Sequence, residues 1–237
     1  MRHIRLYVRG LGNSYRRFLI AAALAIAAVP SAQADGNTVT VGEEQIAIPA
    51  VPGFDNYTDD PKGQQVASTI IESNAQLLSF QAQPGPLTRY LIVKVPKIVI
   101  AHSMSVQEFR GYTAYSRANA VKQQQYGDLA TQQAAERRTQ LNDNFAQGHD
   151  IENLKFDAPI MVGIDRDDDV AFTQTKLSPM KFSADGKPVA VMVAMCASSI
   201  LVKGKYIIAQ LFGPAQEVEW TRSTCDKFVT DLSMQNK

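Results

Sequence analysis

The chain has 237 residues, with 24 lysines and arginines against 23 aspartates and glutamates, and it carries two cysteines. Five of the basic residues (Arg2, Arg5, Arg9, Arg16 and Arg17) lie within residues 1–34, which contain no acid; without that segment 19 basic residues face 23 acidic ones, a net charge of −4. That balance leaves no electrostatic case for nucleic acid and weakens any case for adhesion to anionic lipid.

Residues 1–34 read as a secretory signal peptide. A cationic lead precedes an apolar stretch, Phe18 to Val29, and then the small-residue site Ala32-Gln33-Ala34. Cleavage is expected between Ala34 and Asp35. The apolar stretch is well short of the ~20 residues a spanning helix needs, so no stable membrane insertion is expected after cleavage. Arg16-Arg17 followed directly by Phe18-Leu19 is close to a twin-arginine signal but lacks the usual intervening residue, which favours the general secretory route. The short length and the Ala-X-Ala site look bacterial and point to the periplasm. Residues 35–237 are expected to form a single domain, without internal repeats.

Thr38 to Val41 and Glu44 to Ile48 alternate about Gly42-Glu43 and predict a hairpin. Gln64 to Ser73 predicts a helix with Val66, Ile70 and Ile71 inward. Ala75 to Phe80, Arg89 to Val95 and Ile98 to Ala101 predict strands, antiparallel because the links are too short for crossovers. Residues 35–37, 57–63 and the tail after Leu232 are expected to be the least ordered. Ser105-Val106-Gln107-Glu108 is a capping box. A helix is expected over 105–147, bent near Gly127, offering Val106, Phe109, Tyr112 and Thr113 to the core from its first part. Its second part offers Tyr126, Ala130, Ala134, Leu141 and Phe145. Val170 to Leu177 and Lys181-Phe182 predict extended chain, and Asp185-Gly186 a turn.

Pro188 to Phe212 carries the fold prediction. Val189, Val191, Val193 and Met195 alternate with Ala190, Met192, Ala194 and Cys196, so both faces of that strand are apolar. Tyr206 to Phe212 returns through a tight Lys203-Gly204-Lys205 turn. Central strands that are dry on both faces need cover on both faces. The expected class is therefore α+β, an antiparallel sheet covered by helices on both faces. The last helix starts near Gly213-Pro214, with Val218, Thr221, Cys225, Phe228, Val229 and Leu232 inward.

Val191 to Val202, the Lys203-Gly204-Lys205 turn, Tyr206 to Phe212 and the Trp220-bearing helix through Leu232 resemble the C-terminal part of PsbP-like α/β/α sandwich domains. The resemblance covers under a quarter of the chain and lies in the arrangement of elements rather than in a motif. It implies an antiparallel sheet between helices, in a family mostly of accessory and binding proteins. No functional residue of that family maps onto this chain.

Cys196 and Cys225 are expected to pair, since exported proteins with an even number of cysteines usually form bridges. The alternative is two separate buried thiols. The bridge requires the last helix to pack on the small Ala190/Ala194 face. Asp165, Asp167 and Asp169 open like a calcium loop, but Val170 and Lys176 stand where glycine and glutamate are required, so a solvated acidic turn is the better reading. His102 and His149 lack zinc spacing and read as surface residues. Ser198-Ser199 has no nucleophile-elbow frame. No metal and no cofactor is expected, and no residue is singled out as catalytic. The favoured function is an exported, non-catalytic binding or accessory protein of the bacterial periplasm, with a protein or small-molecule partner. Two alternatives stand beside it. One is a hydrolase with a dispersed active site. The other is an envelope structural or stress protein that meets a partner through its Gln-rich helix (residues 105–147), rich in glutamine at Gln123 to Gln125, Gln132, Gln133 and Gln140.

Overall fold

The computed structural model describes residues 37–85, 87–118, 131–132 and 151–237. The leader, the Ala34–Asp35 junction, His149 and most of the expected 105–147 helix lie outside the described residues. Among the described residues no helix is long and apolar enough to cross a membrane.

The fold is α+β, built on an antiparallel sheet. Strands β1 (Asn37–Val41) and β2 (Glu44–Ile48) form the expected hairpin. Strand β3 (Asp55–Asn56) edges the main sheet, and helix α1 (Pro61–Ile70) follows. Asp60 caps α1 by accepting from the Lys62 and Gly63 amides, and Pro61 occupies the first turn, where its missing N–H costs nothing. Residues 57–63 are thus fixed rather than loose, because Tyr57 is also buried. Strands β4 (Ala75–Ala82) and β5 (Tyr90–Pro96) come next. A 3-10 turn at Lys97–Val99 then stands where sequence alternation predicts a strand. The Lys97 amide turns back to Asn74 O, and Ile98 is left 86% exposed.

Helix α2 (Val106–Ala118) begins at the capping box as expected: the Glu108 amide donates to Ser105 Oγ at 3.2 Å and the Ser105 amide to Glu108 Oε2 at 2.7 Å. Of its predicted inward residues Phe109 and Thr113 are buried, whereas Val106 and Tyr112 are exposed. Thr131 and Gln132 are helical as well.

Strands β6 (Ile151–Phe156) and β7 (Ile160–Asp167) then run in succession along β8 (Ala171–Ala184). Strand β8 pairs with β9 (Lys187–Val202), which pairs with β10 (Lys205–Pro214). The order across the main sheet is β3-β4-β5-β10-β9-β8-β6, so the β9–β10 hairpin lies at its centre. The β8–β9 and β9–β10 turns each place two successive residues at positive φ (Asp185 and Gly186; Lys203 and Gly204), as a tight primed turn demands. Strand β10 runs on through Pro214, and a 3-10 turn (Ala215–Glu217) precedes helix α3 (Val218–Gln235), which starts a few residues later than expected.

Helix α3 and the β1–β2 hairpin pack on one face of the sheet. Their buried set includes Ile46, Ile48, Leu91, Val93, Ile200, Ile207, Leu211, Phe228, Val229 and Leu232. On the opposite face Tyr57, Val66 and Ala67 pack with Phe80 and Ile92, while Phe109 of α2 meets Tyr206 at 6.1 Å between ring centroids. The chain end is tied down, not loose: Asn236 accepts from the Ala47 amide at 2.9 Å and donates to its carbonyl at 2.8 Å.

Candidate functional site

Strands β8 and β9 are longer than their neighbour β10. Their outer halves, with β6 alongside, form a ribbon beyond the packing of α3, and the helical Thr131 accepts from the Phe156 amide of β6 at 3.0 Å. Cross-strand register decides which side chains share its faces, because directly paired residues point the same way. Ile160 pairs with Leu177 and Leu177 with Ala194; Pro179 pairs with Met192, and Lys181 with Ala190. All these residues lie on the α3 side, but α3 covers only the part up to Ala194 and Cys196, which are fully buried. Beyond them Met192 is 42% exposed and Ile160 51% exposed, with Leu177 and Pro179 half-buried between. The alternating sequence predicts that β9 is buried on both sides. That expectation fails for Pro188 to Val193, because no element among the described residues covers its α3 side.

At the ribbon tip the same face has a shallow depression of about 330 Å³, lined by Asn153, Lys155, Lys181, Ser183, Pro188 and Ala190. Lys155 and Lys181 are direct cross-strand partners. Like charges placed so are mutually repulsive. Lys181 is offset by Asp157 at 2.6 Å. The surface is thus an open apolar strip with a polar, charged end.

The Cys196–Cys225 disulfide is present, with the two Cα atoms 6.3 Å apart. This meets the geometric condition of about 7 Å. Helix α3 does pack on the Ala194/Cys196 face, as the bridge requires, and joins the central strand through it. Both cysteines are buried, and Ser198 Oγ lies 3.4 Å from Cys225 Sγ and 2.9 Å from Thr173 Oγ1. Ser198 is therefore a satisfied core hydroxyl. Ser199, on the other face, shares a 2.9 Å hydrogen bond with the Tyr206 phenol.

The acidic turn is occupied by arginines. Asp165 accepts from Arg222 of α3 at 2.7 Å and from the Thr175 hydroxyl at 2.5 Å; Asp167 pairs with Arg117 of α2, and Asp169 with Arg110 at 2.5 Å. Asp168 pairs with Arg166 at 2.5 Å. Partial burial raises the Asp168 carboxyl pKa, but hydrogen bonds from the Val170 amide, Arg166 and the Ala171 amide outweigh it and hold the group below the usual range. The Arg222 pKa is raised by its bond to Asp165. The turn so ties α2 and α3, from opposite faces, to one strand connection. Among the described residues no three metal-ligating side chains converge. His102 lies on the surface beside Glu108, with Nε2 3.3 Å from Oε1.

Two buried lysines on the opposite face escaped the sequence reading. Lys94 is 3% exposed and donates to Glu72 at 2.6 Å. Lys176 is 5% exposed, and burial lowers its pKa. Their only sequence signal is a lysine inside an apolar alternating run, which reads equally well as a polar edge. Neither a family model nor a curated protein matches this sequence.

Proposed function

We propose that this chain is an exported, non-catalytic binding or accessory protein of the bacterial periplasm, and that it engages its partner through the α3-side face of the β8–β9 ribbon. The observation that carries the reading is that open face. Met192, Ile160, Leu177 and Pro179 form a contiguous apolar strip on a well-paired strand scaffold, where an isolated globular chain gains by burying them. The buried Cys196–Cys225 bridge supports export, since such bonds form and persist in oxidising compartments. The charged leader supports the same compartment. The PsbP-like arrangement of the C-terminal elements implies the same class of accessory protein. As part of this reading, the body of the sheet is covered by helices on both faces; α3 on one side and the contacts of α1 and α2 on the other support it.

Photo-crosslinking in living cells tests the binding face. A photoreactive residue replaces Met192 on the ribbon or, as a control, Met234, which is also exposed but lies on α3. A discrete adduct from position 192 that is absent from position 234 supports the proposal. No adduct from 192, or the same adduct from both positions, overturns it.

A further inference from the structure

We draw no further inference here: the strongest candidate, the open apolar face of the β8–β9 ribbon with the depression at its tip, belongs to the surface already described, and nothing in the structure shows what covers it.

Discussion

Removing the Cys196–Cys225 bridge is the sharpest perturbation of the fold. The cysteines are 29 residues apart in sequence, so the bridge closes a loop of about thirty residues in the unfolded chain. The chain-entropy relation gives about 12 cal/mol/K for that loop, or about 3–4 kcal/mol at room temperature. Replacing both cysteines by alanine also deletes two buried sulfurs, which adds about 1 kcal/mol for incomplete collapse around the vacated space. The loss is a large part of the ~5–15 kcal/mol by which domains are stable. An unfolding entropy of ~2.1 cal/mol/K per residue over roughly 200 residues converts the entropic part to a fall in Tm of about 7–10 °C. Urea denaturation of the oxidised protein and of Cys196→Ala/Cys225→Ala measures it. The variant should also show a larger m-value, because its unfolded chain exposes more surface. A variant within about 1 kcal/mol of the parent, at equal m-value, would refute the claim that the bridge constrains the unfolded chain.

Three further perturbations test the packing. Gly63→Ala reverses an ordinary rule: alanine in a helix is favoured over glycine by ~1 kcal/mol, but a Cβ here would stand 2.3 Å from Tyr57 O, so the variant should be less stable in thermal denaturation. Glu72→Ala leaves the Lys94 ammonium buried without that carboxylate and should cost about 1–3 kcal/mol, discounted because Glu72 is itself 44% open to solvent; adding Lys94→Met should recover much of the loss in urea melts. Asp168 has a folded pKa below its unfolded value, so its contribution is present above the unfolded pKa of ~3.9 and is lost as pH falls through the lower folded value. The stability gap between the parent and Asp168→Asn should therefore be full near neutral pH and close in acid; a gap that widens as pH falls contradicts the assignment.

What was legible in the sequence follows from how local each signal is. The β1–β2 hairpin, the Ser105 capping box and the inward stripe of α3 are written in consecutive residues, and each is found in place, except that Val218 at the start of the stripe is only half-buried. The Cys196–Cys225 bridge was legible because strand alternation fixes which face Cys196 occupies. Strands β6 and β7 were missed because irregular pairing interrupts their alternation, at Glu152/Lys155, Met161/Gly163 and Ile164/Arg166. A bulge shifts the side-chain phase and so erases the period-two signal. Pro179 made β8 look like two pieces. It sits where β6 gives way to β7, and its carbonyl accepts from the Asp157 amide, so one strand passes through. The open ribbon face was misread for a different reason. Residue type shows that Ala190 and Met192 are apolar, but only the lengths of β8 and β9 relative to β10 and α3 show that they lie beyond the cover. The arginine partners of the acidic turn come from α2, α3 and β7, and their placement is tertiary.

Native mass spectrometry of the protein purified from the envelope fraction tests the central claim most directly. The account predicts a chain beginning at Asp35, two hydrogens lighter than its reduced form, that retains a partner or ligand which Met192→Glu/Ile160→Lys releases without unfolding the protein. A chain retaining Met1, two free thiols, or a bound species that the folded double variant holds equally well would contradict it.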